Sequence, residues 1–423
     1  MKYSFSPVSW SIHTNVYEVN VRQYTEEGTF NAFANHLPRL REMGVEVLWF
    51  MPITPISVKG RLGTLGSYYA CSSYTAINPE FGTLEDFKTL VKKAHEFGFK
   101  VIIDWVANHT GMDHEWTTSH PEFYRKDAEG NFYDHHGWQD VYDLNYYDYG
   151  LRRFMTEAML YWVKECDIDG FRCDMAHLVP RDFWQQARET IDSIKPLYWL
   201  AETDDGNYLT VFDCHYTWRW MHETECFFKG ESSMVKLLDI LHFYWKDFPP
   251  QAQHLYFTSN HDENSWNGSE YEKYGEGALA LAVFSCTWDS IPLIYSGQEL
   301  PNRKRLHFFE KDCIEWNQPP ALHGFYRTLL ELRKTHPAII AGKEALPKLI
   351  PVNENNEVMV FSRTWQQRSI LVLLNFSANN YKVQIPASNV SGNFTNLFDN
   401  QLIDFNTQSE VELHSWGYKV FVS

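Results

Sequence analysis

Four acidic residues stand at the ends of short apolar runs in this chain. They are Asp104 in DWVANH (104–109), Asp174 in GFRCDMAH (170–177), Glu202 in WLAET (199–203) and Asp262 in FTSNHD (257–262). An acid placed there is anchored on rigid backbone while its side chain leaves the core. Several such ends facing one cavity would gather carboxylates. Cleaving an acetal bond between sugars needs paired carboxylates in different protonation states. When anomeric configuration is retained, the nucleophile and the acid stand about 5–5.5 Å apart. Arg172 lies two residues before Asp174, and its guanidinium would keep that carboxylate ionised and nucleophilic. Glu202 follows the apolar run 198–201, where partial desolvation would raise its pKa and suit it to proton donation. His109 and His261, beside or near these acids, can hydrogen-bond sugar hydroxyls.

The elements that must position these residues follow a regular beat. Strand-like runs at 16–21, 45–50, 100–105, 170–173, 198–201, 209–212, 255–259 and 292–295 alternate with helical patterns at 31–43, 84–97, 151–165, 181–194, 232–245, 276–287 and 323–335. Eight strands and nearly eight helices close most simply as a (β/α)8 barrel, whose active site lies at the C-terminal ends of the strands. On this count Asp104, Asp174, Glu202 and Asp262 end strands three, four, five and seven. The neighbouring strands four and five could then give the retaining separation. Residues 106–149 interrupt the beat for longer than a βα loop normally runs, and read as an inserted small domain. The barrel is expected over 1–105 and 150–344. From 345 to 423, short β-type runs at 358–363, 369–375, 381–385, 411–414 and 419–422 predict an antiparallel β-sandwich domain.

Bulk properties narrow the partners. The chain has 423 residues and a formal charge of −17, which disfavours nucleic acid and anionic membranes and suits a neutral ligand such as a sugar. No run reaches the length of a membrane span. The N-terminus lacks the apolar stretch of a signal peptide, and seven scattered cysteines make no secreted-type framework, so a cytoplasmic location is expected.

The ordered set of four segments resembles the α-amylase family, glycoside hydrolase family 13, over nearly the whole chain. That resemblance implies Asp174 as nucleophile, Glu202 as general acid/base and Asp262 as a third acid that binds sugar hydroxyls. It implies that Arg172 orients the nucleophile, that His109 and His261 contact the sugar at the cleavage point, that Asp104 organises the site, and that Tyr69 in GSYYACSSYTAINPEFG stacks on the same sugar. The segment PLIYSGQE (292–299) resembles the family's eighth strand and loop. Many members carry Lys-His three and four positions after the nucleophile; His177 and Leu178 stand there instead, with His177 a candidate sugar contact. Asn108 and Asp143 match calcium ligands, so a structural Ca2+ is implied alongside a reaction that needs no cofactor. VYDLN (141–145) is closer in form to members bridging α-amylases and oligo-1,6-glucosidases. The function implied is retaining hydrolysis of α-1,4 bonds in starch, glycogen or maltooligosaccharides. Transglycosylation, an α-1,6 or oligosaccharide preference, and a non-catalytic sugar-binding role are the alternatives. Oligomeric state is left open.

Each residue also has a plainer reading. A single acid after a strand can cap a helix or sit in an ion pair. Asp104 can be an Arg-paired structural group, His109, His261 and His177 can be packed or hydrogen-bonded within the fold, and Tyr69 can be a packing aromatic. His114, His120, His135 and His136 do not have the spacing of a zinc site. Trp105, Trp138, Trp218 and Trp266 follow strands and are the aromatics to test as sugar platforms.

Overall fold

The computed structural model describes residues 5–316, 318–340, 342–352 and 356–423. The reading of the N-terminus rests partly on residues 1–4, outside that set. Eight parallel strands close a barrel: β1 (Val16–Val19), β2 (Val47–Phe50), β3 (Lys100–Trp105), β4 (Gly170–Cys173), β5 (Tyr198–Ala201), β6 (Cys214–Tyr216), β7 (Gln253–Tyr256) and β8 (Ile291–Tyr295), with β8 returning to β1. Nearly every strand residue is buried on both faces, as expected when helices cover the outside and side chains fill the inside. Val16, Val47, Ile102, Leu200, Leu255 and Leu293 belong to the packed interior cluster.

Local chemistry sets the helices. Leu84–Glu96 starts at a capping box in which Thr83 and Asp86 satisfy each other's backbone N–H groups. The expected helix at 31–43 is two helices, Phe30–Ala34 and Leu37–Met43. Pro38 explains the break, because it has no N–H and its ring clashes with the carbonyl four residues back. Gly44, at φ 99°, then ends the second helix in the left-handed region.

The sixth strand is the main correction. The expected strand at 209–212 lies in and just after a 3-10 turn, Gly206–Thr210, which Asp205 caps by accepting from the Asn207 N–H. Leu209, Val211 and Phe212 are buried, but in the outer helix layer, while Cys214 and Tyr216 face the barrel interior. The helix that follows, Trp218–Phe228, was not anticipated.

Beyond the barrel, a six-stranded antiparallel sheet runs in the order Lys348–Leu349, Val358–Trp365, Arg368–Asn375, Tyr418–Val422, Asn393–Asn396, Leu402–Asp404. A second, two-stranded ladder pairs Tyr381–Gln384 with Glu410–Leu413. Alternation sorts the six-stranded sheet's faces. Val358, Val360, Leu371 and Leu373 pack with Val383 and Val411 of the ladder. Met359, Phe361, Ile370 and Val372 join the barrel's main core instead. Arg363 fixes the junction by donating to the Ala345 and Trp288 carbonyls at 2.8 Å each. No described helix is long and apolar enough to cross a membrane. The seven cysteines are free thiols, five of them buried.

Candidate active site

Arg172 is the centre of the site. In register, Asp104 of β3 pairs with Arg172 of β4, which pairs with Leu200 of β5. Arg172 is fully buried, so its charge must be matched within the protein. Its Nη1 donates to Asp104 Oδ1 at 2.9 Å and to Asp174 Oδ1 at 3.0 Å, and its Nη2 lies 2.9 Å from Glu202 Oε2. Its Nε donates to the Tyr216 hydroxyl of β6 at 3.2 Å. One guanidinium therefore spans four strand ends and holds three carboxylates.

Asp174 and Glu202 each follow a residue of the β4–β5 pair Cys173 and Ala201. Adjacent strands lie about 4.8 Å apart, so carboxyls leaving the barrel at one level are close neighbours. Met175 ties them further. It adopts φ 39°, in the left-handed region that costs a side-chain-bearing residue about 1–2 kcal/mol, and its N–H donates to Glu202 Oε2 at 2.8 Å.

The electrostatics revise one expectation. Arg172 was expected to hold Asp174 ionised. Burial pushes the Asp174 carboxyl well above its ordinary range, nearby Glu202 adds to the rise, and Arg172 opposes it without prevailing. The reason is the sharing: one positive charge serves Asp104, Asp174 and Glu202 together. The cluster thus holds a proton readily, as an acid–nucleophile pair must when the acid is to be charged with one.

Asp104 has a side chain with no exposure and is bound by Arg172, by Trp49 Nε1 at 3.2 Å and by the Tyr69 hydroxyl at 3.0 Å. It positions other groups and does not face the cleft. Tyr69 also meets His261 Nε2 at 2.7 Å, and the two rings stack at 5.3 Å. His261 Nε2 lies 3.3 Å from Asp262 Oδ2, and its Nδ1 is hydrogen-bonded to Glu18 of β1. Burial pulls the His261 pKa down, but the charges of Asp262 and Glu18, with their hydrogen bonds, outweigh it and raise it well above normal. Burial pushes Asp262 up, and charged His261 more than offsets this, holding Asp262 low and ionised. Burial, aided by His136, takes His109 down to about 3, so it is a neutral imidazole.

Sequence reasoning missed Glu18 and Trp49. Glu18 carries the same signal as the other acids, a carboxylate near the end of an apolar run, in VYEV. It makes a testable contribution. A histidine whose folded pKa is raised stabilises the fold below its unfolded pKa, and that stability is lost as pH rises through the folded pKa. The Glu18→Gln variant should therefore have a lower Tm than the parent near pH 6, with the gap closing at alkaline pH. Tm measured against pH checks this; a pH-independent gap contradicts it.

Asp174, Glu202 and Asp262 open onto one cleft of about 450 Å3, shared with Tyr69 and His109. Trp138 and Trp266, 37% and 53% exposed, flank it. Trp105 does not; it is core, packed on Tyr74 and Phe171. His177 is exposed and stands outside the cleft, with Trp218 and Thr203, on a separate depression. His114 packs between Tyr74 and Trp116, and His120 stacks on Phe123.

Asn108 and Asp143 are adjacent, the Asn108 amide lying 3.5 Å from Asp143 Oδ1, while Asp143 Oδ2 accepts from the His135 N–H at 3.1 Å. A calcium ion takes 6–8 oxygen ligands. Here the one carboxylate is already met by protein donors, and among the described residues no three His, Cys, Asp or Glu side chains gather. Asn108 and Asp143 would supply an amide and a carboxylate oxygen to a structural cation, and no chemical step involves a metal.

A barrel with three carboxylates at one mouth defines a glycosidase-type site, and comparison with known proteins agrees. The model of the alpha amylase catalytic domain matches residues 13–127 and 119–323, and the chain belongs to that family of glycoside hydrolases. It is 27% identical over 409 residues to alpha-amylase MalA of Haloarcula japonica, covering 90% of this chain and 58% of that relative's length. Among solved structures it resembles the noncanonic maltogenic alpha-amylase AmyB of Thermotoga neapolitana (TM-score 0.90, 29% identity, 97% of this chain and 99% of that one). It also resembles an alpha-amylase of Lactobacillus plantarum (TM-score 0.89, 28% identity, 97% and 99% covered).

Proposed function

We propose that this chain hydrolyses α-1,4-glycosidic bonds in starch, glycogen or maltooligosaccharides with retention of configuration. The observation that carries the reading is the pairing of Asp174 and Glu202 at one level of β4 and β5, both on Arg172 and both open to the cleft.

In the first step a carboxylate oxygen of Asp174 bonds to the anomeric carbon. The bond to the glycosidic oxygen breaks with its electron pair, and Glu202 gives that oxygen a proton. In the second step Glu202 takes a proton from water as the water oxygen attacks the same carbon, and the bond to Asp174 breaks. Asp174 attacks as the carboxylate, held beside Arg172. Ionised Asp262 supports the positive charge that develops on the sugar ring, and neutral His109 hydrogen-bonds its hydroxyls. Asp174, Glu202 and water supply every group the reaction needs; Tm with and without EDTA checks the structural cation that Asn108 and Asp143 imply, a fall showing it bound and an unchanged Tm showing none.

Proton NMR of maltoheptaose during turnover tests the reading. The first products should be shorter maltooligosaccharides in the α-anomer. A β-anomer first would rule out retention, and oligosaccharides longer than the substrate would place the activity with transglycosylases.

A further inference from the structure

Besides the catalytic acids, the cleft is lined by Leu62, Gln139, Asp140 and Phe309. A separate depression of about 640 Å3 is lined by His177, Thr203, Asp205, Tyr208 and Trp218. Leu62, in the loop 58–65, lines the cleft with Tyr69 and Asp262.

Both ends of this loop are tied down. The Val58 and Lys59 N–H groups each donate to Asp113 Oδ2 at 2.9 Å, in the insertion after β3. The Leu65 N–H donates to the Phe309 carbonyl at 3.0 Å and the Thr64 N–H to Glu310 Oε1 at 3.0 Å, in the segment after β8. Two glycines let the backbone close up between them. Gly60, at φ 73°, lies where a Cβ would come 2.5 Å from Met112 Sδ and 3.6 Å from the Asp140 Cα; one on Gly63, at φ 63°, would come 2.5 Å from the Phe309 Cβ. The result is a continuous wall from residues 139–140, through 60–63, to 309–310. Leu62, Phe309 and Asp140 present it to the cleft. Asp140 is only 6% exposed, and its Oδ2 has no partner among the described residues. A buried carboxyl oxygen left unmatched is costly unless a ligand donates to it.

We infer that this wall ends the donor side of the site: the enzyme takes the non-reducing ends of α-glucans and releases glucose or a disaccharide, with Asp140 accepting from a hydroxyl of the terminal sugar. A glucan bound mid-chain would have to run through the wall. This rests on the hydrolase reading above. The test compares 4-nitrophenyl α-maltoheptaoside with the same compound blocked at its non-reducing terminal glucose. The blocked compound should be cleaved with a kcat/KM lower by roughly tenfold or more. Equal cleavage of both overturns the inference while leaving hydrolysis standing; no cleavage of the unblocked compound overturns the hydrolase reading and the inference with it. Glu310→Ala, half-buried and not lining the cleft, should loosen the wall and raise the blocked-to-unblocked ratio several-fold with the unblocked rate kept. An unchanged ratio in this variant overturns the wall's part in it.

Discussion

Replacing Asp174 with Asn should lower kcat by at least ~10^4-fold, because an amide cannot supply the attacking carboxylate oxygen. The other acids are engaged: Glu202 accepts from the Met175 N–H, Asp262 pairs with His261, and Asp104 is enclosed by Arg172, Trp49 and Tyr69. The fold should be unharmed. Asn has nearly the shape of a protonated Asp, and Asp174 is already pushed toward protonation by burial and Glu202. Removing one of three carboxyls competing for one guanidinium should leave Tm unchanged or slightly higher, the usual trade of stability against activity. Activity on maltoheptaose and Tm measured on the same preparation check both halves. A large loss of Tm would mean that Asp174 serves the fold first.

Arg172 should behave in the opposite way. Replacing it with Leu leaves Asp104 and Glu202 buried without their cation, and truncating one partner of a buried ion pair costs about 3–5 kcal/mol. That is a large part of the stability of an ordinary domain, so the variant should unfold at far lower denaturant concentration or fail to accumulate. Arg172→Lys keeps the charge and loses the planar fork. A single ammonium on a flexible stem cannot reach Asp104, Asp174, Glu202 and Tyr216 from their separate strands, so this variant should fold and be nearly inactive. Urea unfolding of both variants checks the ranking; equal stability of parent and Arg172→Leu would contradict the central place given to this residue.

Much of this site was legible because its parts are local. Each acid sits within a few residues of an apolar run, and the order of the runs gives the order of the strands. The sharing of Arg172 was not legible. It depends on β3, β4, β5 and β6 closing side by side, and no local pattern says that one cation must serve three acids. The same limit hid the link from Glu18 to His261, which joins the first strand to the loop after the seventh. The apolar run 209–212 misled because burial in the helix layer and burial in a strand leave the same trace over so few residues; the Asp205 cap was the deciding signal. Asn393–Asn396 and Leu402–Asp404 escaped notice because NFTN and LID are too short and polar to stand out. The glycines at 60 and 63 are visible in KGRLG, but what they approach is a property of the closed fold.

Peptide mapping of a trapped intermediate tests the central claim most directly. In Glu202→Gln, an α-maltosyl fluoride needs no acid to lose fluoride, so the first step proceeds. The second step then lacks its base, and the glycosyl-enzyme should accumulate. Mass spectrometry of the digested protein should find the added sugar on the peptide carrying Asp174 and on no other. An adduct on a different residue, or turnover of the fluoride with no adduct and a β-configured product, would contradict the account.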